Sequence, residues 1–155
     1  MKPTSEQSAF IERVGRWWEN VSGSRTAGQI VGWLMICEPA HQSSAELSER
    51  LKVSTGSVST QTRVLERIGF LDRITFPGDR ATYYQLKPHV WLELMWTEQQ
   101  RIEEMKSLAD AAQSLIPEAR PDRVEELGEI AEFFLSRWPA LMADLTEYLK
   151  KERAI

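Results

Sequence analysis

The chain has 155 residues, of which 42% are hydrophobic and 27% charged, with a net charge of −4 and one cysteine. That length supports one domain, or one module with a helical extension, whose core needs neither metal nor disulfide staples. The longest apolar run, residues 30–37, is far short of the roughly 20 residues of a bilayer span. The opening MKPTSEQSAF lacks the charged and apolar regions of a secretion signal, so the expected location is the cytoplasm.

In chain order, residues 5–21 carry Phe10, Val14, Trp17, Trp18 and Val21 at the spacing of a helix with one buried face. Ser22-Gly23-Ser24 breaks this pattern, and Ser24 is placed to cap a second helix running to about Cys37. That helix is apolar nearly all round, and Gly28 and Gly32 would admit a neighbouring helix closely. Glu38-Pro39 ends it. Cys37 has no basic neighbour to activate it and reads as a buried structural thiol. His41 and His89 stand apart from any Cys/His cluster, so no metal site is expected.

Ser43 or Ser44 then caps a short helix with Leu47 and Leu51 inward; Ser43 with Glu46 is the better capping box. Residues 52–54 make a turn with Val53 inward, and Ser54 caps a helix that buries Val58, Leu65 and Ile68 and stops at Gly69. Residues 70–76 and 81–86 have strand composition and are joined by Pro-Gly-Asp-Arg, a strong turn signal. Helix, turn, capped helix, glycine stop and Arg-tipped hairpin in this order are the layout of a winged helix-turn-helix.

From Pro88 a long stripe follows: Trp91, Leu92, Met95, Gln99, Ile102, Met105, Ala109, Ala112 and Ile116. Pro117 and Pro121 punctuate the next turn, with Pro121 suited to the first position of a helix bearing Val124, Leu127, Ala131, Phe134 and Trp138. Pro139 predicts a break before a last apolar face of Leu141, Leu145, Tyr148 and Leu149. Glu125, Glu126, Glu129 and Glu132 read as a solvated face. The expected organisation is a DNA-binding domain over residues 1–87 and a helical dimerisation and regulatory region over residues 88–155.

The acidic total hides a local balance. Residues 43–87 hold seven Lys/Arg against five Asp/Glu, net +2, whereas residues 88–155 are net −6. Because screening limits electrostatic reach to about 8–10 Å, a mildly basic module suffices for phosphate attraction. On the second helix of the pair, Thr55, Ser57, Thr60 and Gln61 are the exposed early residues expected in a major groove, with Arg63 further along. Hydroxyls there can bond base edges or phosphates, and glutamine can pair bidentately with adenine. Gly56 would let a phosphate approach the backbone, next to the free amides of the helix N-terminus. Arg80 at the hairpin tip is expected in the minor groove, with Asp79 orienting its guanidinium, and Arg25 is a lesser candidate for a phosphate contact.

The segment GSVSTQTRVLERIGFLDRITFPGDRATYY resembles the MarR-type regulators, and most closely their GbsR-like branch. That branch similarly combines a Gly-Ser-Val-Ser recognition helix, a Leu-Glu-Arg-x-Gly ending and a Pro-Gly-Asp/Glu-Arg wing ahead of paired tyrosines. Ser24-Arg25-Thr26-Ala27-Gly28 is similar to the segment that opens the preceding helix in the branch. The resemblance covers roughly residues 22 to 90 and implies a homodimeric transcriptional regulator, as a rule a repressor. One departure is Thr62, where related helices generally carry an apolar core residue. A hydroxyl bond to the preceding turn would accommodate it.

The expected fold is therefore mainly α with a small β-hairpin wing, a winged helix-turn-helix with N- and C-terminal dimerisation helices. A dimer also follows from geometry, because one recognition helix reads only a few base pairs. Six tryptophans are many for this length. The GbsR-like branch is associated with choline and glycine betaine, whose quaternary ammonium groups favour tryptophan faces. Trp33, Trp91 and Trp96 are accordingly the candidates for an effector site, against the alternative that they are core residues. No Gly-rich phosphate loop or nucleophile–base pairing is evident, so neither catalysis nor a cofactor is expected. The competing reading is an interaction adaptor that uses the winged fold without DNA, and salt-dependent binding to duplex DNA separates the two.

Overall fold

The computed structural model describes residues 3–115 and 122–153. Its elements are α1 (Ser5–Ser22), α2 (Arg25–Leu34), β1 (His41–Ser43), α3 (Ser44–Leu51), α4 (Thr55–Arg67), β2 (Leu71–Ile74), β3 (Tyr83–Leu86), α5 (Val90–Gln113) and α6 (Asp122–Arg153). The chain divides into two compact units, Met1–Val90 and Trp91–Ile155.

The first unit is a winged helix-turn-helix. Thr4 opens α1 with a capping box completed by Gln7. The helix buries Ile11 and Trp18, whereas Trp17, expected on the same stripe, is 47% exposed. The correction follows from α2, which seats itself against Val14, Gly15 and Trp18. A methyl group on Gly28 would collide with the Trp18 Cβ and lie 2.8 Å from the Gly15 Cα, so α1 and α2 touch backbone to backbone. Gly32 similarly faces Val14. Regular α2 ends at Leu34, earlier than the expected Cys37, although the Cys37 N–H still bonds the Trp33 carbonyl at 2.9 Å. Burial pushes the Cys37 thiol up to about 11, as befits an inert core residue.

Between α3 and α4 the chain reverses at Lys52, which takes the left-handed conformation with φ 55°. Ser48 locks the turn, its hydroxyl donating to the Val53 carbonyl at 2.7 Å while its own carbonyl accepts from the Val53 N–H. Ser43, not Ser44, caps α3, and Glu46 reaches back to the Ser43 N–H at 2.7 Å to complete the box. At the far end of α4, Gly69 (φ 75°) allows a Schellman closure in which the Phe70 N–H meets the Leu65 carbonyl at 2.8 Å. Phe70 then packs edge-on against Trp18 at 4.6 Å, joining the helix pair to α1.

The sheet holds three strands in the order β1-β3-β2, all antiparallel. Strand β1 was not expected; it adds to the hairpin by pairing His41 with Gln85 and Ser43 with Tyr83. The hairpin strands are shorter than their composition suggested, because regular pairing ends at Ile74 and begins again at Tyr83.

In the second unit α5 and α6 run antiparallel, with Ala109 beside Gly128 near one end and Trp96 beside Met142 near the other. The expected break at Pro139 does not occur: α6 is one helix of 32 residues. Its inward row of Val124, Leu127, Ala131, Leu135, Trp138, Met142, Leu145 and Leu149 continues unbroken past that proline, which sits on the exposed side. Packing of the row on both sides of Pro139 outweighs the single backbone bond that proline forfeits. Phe134, Leu141 and Tyr148, expected to be inward, are exposed. So is Trp91 on α5, expected on its stripe. Ile116, Pro117 and Pro121 lie outside the described residues.

Candidate nucleic-acid interface

Ser54 starts α4 by accepting the Ser57 N–H at 3.1 Å. From there the helix has two chemically distinct faces. Val58, Thr62 and Leu65 are enclosed, each of the apolar pair contributing about 1.5–3 kcal/mol by burial. The core position of Thr62 is met without an unsatisfied hydroxyl, since its Oγ1 donates to the Val58 carbonyl at 2.9 Å. An unpartnered hydroxyl there would cost about 1–3 kcal/mol. Ile68, expected in the core, is 56% exposed because the helix is already turning out at Gly69.

The opposite face is polar and exposed: Thr55, Gly56, Ser59, Thr60 and Arg63. Ser57 is half-buried. Ser59 was missed by the sequence reading, although it lies four residues from both Thr55 and Arg63, and Arg63 Nη2 donates to its Oγ at 3.2 Å. Around Gly56 a Cβ would meet only Ser54 Oγ, at 4.0 Å, so the fold itself places no demand for glycine here.

Two expected contact residues are held by the protein. Gln61 is half-buried, and its Oε1 accepts from Ser24 Oγ at 2.8 Å, tying α4 to the cap of α2. Bidentate pairing with adenine uses that oxygen too, so in this arrangement it is shared with Ser24, while the amide N–H groups of Gln61 remain for DNA. Arg25 forms an ion pair with Glu12, whose other oxygen accepts from Gln29 Nε2 at 2.6 Å. The Arg25 guanidinium holds the Glu12 carboxyl below the usual carboxylate range.

On the wing, Gly78 (φ 82°) makes the tip and Arg80 is exposed beside it. Asp79 does not orient the Arg80 guanidinium. Its Oδ1 accepts the Ala81 N–H at 2.8 Å and its Oδ2 accepts the Tyr83 hydroxyl at 2.7 Å. These bonds lower its pKa, the Ala81 amide having the largest effect. Arg73, a further exposed cation of the wing, donates to Thr82 Oγ1 at 3.2 Å.

No protein-family model matches the chain. It is 38% identical over 124 residues to the HTH-type transcriptional regulator MmpR5 of Mycobacterium tuberculosis, covering 78% of this chain and 73% of that protein. This chain belongs to the HTH-type transcriptional regulators. The crystal structure of a transcriptional regulator is 32% identical and superposes with a TM-score of 0.71, over 92% of this chain and 99% of that one. A MarR family regulator from Streptomyces coelicolor, solved in complex with DNA, is 19% identical with a TM-score of 0.45, over 83% of this chain and 79% of that one.

In this HTH-type regulator the three candidate effector tryptophans have different surroundings. Trp33 is 6% exposed in the first unit, and its indole N–H donates to Gln42 Oε1 at 3.2 Å. Gln42 is itself buried and donates to the Pro39 and His41 carbonyls. Trp33 is thus part of a closed polar relay within the core. Trp91 and Trp96, in the second unit, are 40% and 47% exposed. Trp96 lines a groove of about 470 Å³ with Pro139, Met142 and Thr146. Among the described residues no cluster of His, Cys, Asp and Glu could hold a metal ion, and no helix is long and apolar enough to cross a membrane.

Proposed function

We propose that the chain is a MarR-type regulator, nearest the GbsR-like branch, that binds duplex DNA as a homodimer and represses transcription in the cytoplasm. The observation that carries this reading is the division of α4. One face is locked in the core by Val58, Thr62 and Leu65, while the other offers hydroxyls, an unneeded glycine and Arg63 to solvent. A helix so divided can lie in a major groove, with Thr55, Ser57, Ser59, Thr60 and Arg63 toward the bases, the Gln61 amide toward an acceptor, and Gly56 beside a phosphate. Arg80 then enters the minor groove, and Arg25, already paired with Glu12, lies at the phosphate margin.

Support for a two-fold dimer comes from the helical unit, where Phe134, Leu141 and Tyr148 repeat at seven-residue intervals and are all exposed. Such a row is the seam of a helix packed on another helix. For the effector, a quaternary ammonium compound such as choline or betaine, the exposed Trp91 and Trp96 are the better candidates, Trp33 being enclosed. Titrating choline should quench tryptophan fluorescence and change DNA affinity; the absence of both responses removes that assignment.

Selection of bound sites from random duplex DNA by the full chain tests the main reading. A palindrome with half-sites about 10 base pairs apart, or a multiple of that, is the expected product. Its affinity should fall steeply with salt. No enrichment, with binding indifferent to salt, would favour the interaction adaptor.

A further inference from the structure

The hairpin tip is more elaborately held than a solvated turn requires. The Asp79 N–H closes the turn on the Phe76 carbonyl at 3.1 Å, and the Asp79 carboxylate then brackets Arg80 by accepting the Ala81 N–H and the Tyr83 hydroxyl. The Tyr83 ring is in turn one of a cluster of three, meeting Phe76 and His41 edge to face while those two tilt against each other. Its centroid is 5.1 Å from Phe76 and 5.4 Å from His41, and His41 is 5.0 Å from Phe76. His41 comes from β1, so the cluster ties the tip to the far strand of the sheet, with Tyr83 on the central one. Phe76 is 39% exposed, so this cluster lies outside the buried core.

We propose that Tyr83 is a positioning residue for Arg80: with Asp79, Phe76 and His41 it forms a clasp that holds the wing tip in one conformation and presents the Arg80 guanidinium already ordered for DNA. The inference rests on the reading of the wing as a DNA contact. Its physical basis is that an arginine on a loose loop must be ordered when it binds, whereas one on a braced loop has most of that loss behind it. Both Asp79 oxygens are engaged by the Ala81 N–H and the Tyr83 hydroxyl, so the carboxylate is occupied in bracing the tip on either side of Arg80. The shared hydrogen bond also leaves its mark on both partners, lowering the Asp79 carboxyl and raising the Tyr83 phenol.

The clasp is tested by Tyr83→Phe, which keeps the ring and deletes only the hydroxyl. Affinity for DNA selected by the full chain is measured for the wild type, Tyr83→Phe, Arg80→Ala and the double variant. Arg80→Ala should weaken binding roughly tenfold and Tyr83→Phe roughly threefold, with no further loss when Tyr83→Phe is added to Arg80→Ala. A purely structural role would instead give the same Tyr83→Phe loss in both backgrounds, and that result overturns the proposal. So does a Tyr83→Phe variant that binds as the wild type does while Arg80→Ala is weakened. If Arg80→Ala itself binds normally, the reading of the wing fails and the proposal with it. The clasp has a second readout that needs no DNA. Limited trypsin cleavage after Arg80 should accelerate several-fold in Tyr83→Phe, and an unchanged rate means that the hydroxyl does not brace the tip.

Discussion

In the winged unit Ile30, Val31, Leu47, Val58 and Leu65 are fully enclosed and Trp18 and Phe70 pack edge to face, although Trp17, Ile68 and Phe76 stay exposed. In the helical unit the described buried positions are the small Ala109 and Ala131 together with Met142, while Leu108, Ile130, Phe133, Phe134, Leu141 and Tyr148 face outward. The first unit encloses a core of large apolar side chains within itself. The second leaves much of its apolar surface open, an arrangement that costs free energy in water and is relieved only by another surface. Stability of the winged unit should therefore depend on its own packing, and that of the helical unit on protein concentration.

The sharpest way to break this contrast is to charge the exposed row. Phe134→Asp with Leu141→Asp should give a monomer by analytical ultracentrifugation and weaken DNA binding about 100-fold or more, because two half-sites can no longer be held together. An unchanged mass would show that the row serves something other than a second copy. Next in size is Gly28→Ala, which forces a methyl group into the α1–α2 crossing. Overpacking of this kind costs about 1–3 kcal/mol, and the drop in thermal midpoint should be the same at low and high protein concentration.

Gly56→Ala separates the fold from its use. With open space around this position, alanine should raise stability by up to about 1 kcal/mol through helix propensity, yet weaken DNA binding several-fold. Denaturant melts and binding isotherms on the same variant would check both signs. The smallest expected effect is on pH dependence. Glu12, Glu46 and Asp79 all have lowered pKa values in the winged unit, owing chiefly to Arg25, the Ser43 amide and the Ala81 amide respectively. Their contribution is fully present above the unfolded carboxylate values of about 4 and is lost as pH falls through the lowered folded ones. In the helical unit Lys106 is raised by Asp110, a contribution kept until pH climbs past about 10.5. Acid below about pH 4 should thus loosen the winged unit first, which hydrogen exchange resolved by segment would report.

Much of the winged unit was legible along the chain. Ser24, the Ser43–Glu46 box, Ser54 and Gly69 all act where the sequence placed them. Thr62 satisfies its hydroxyl within its own helix, so even that departure could be read locally. The candidate DNA face was legible only in part. Ser59 could have been found from its spacing to Thr55 and Arg63. The engagement of Gln61 by Ser24 could not, for it joins residues 37 apart. Strand β1 was hidden for the same reason: His41–Ser43 is too short to show a period and exists because β3 offers an edge.

By itself, then, the sequence determined where elements start, stop and turn, because caps, left-handed glycines and turn signals act over four or five residues. The tertiary structure decided which of two apolar faces goes inward. Trp17 and Trp18 on α1, or Phe134 and Leu135 on α6, are adjacent and alike in hydrophobicity, and periodicity alone ranks neither above the other. Only the neighbour that packs against the helix can choose: α2 with its glycines takes Trp18, and the α5-facing row runs through Leu135 and past Pro139. The same holds for the wing, where Asp79 meets Tyr83 and His41 meets Phe76 only after three strands have paired.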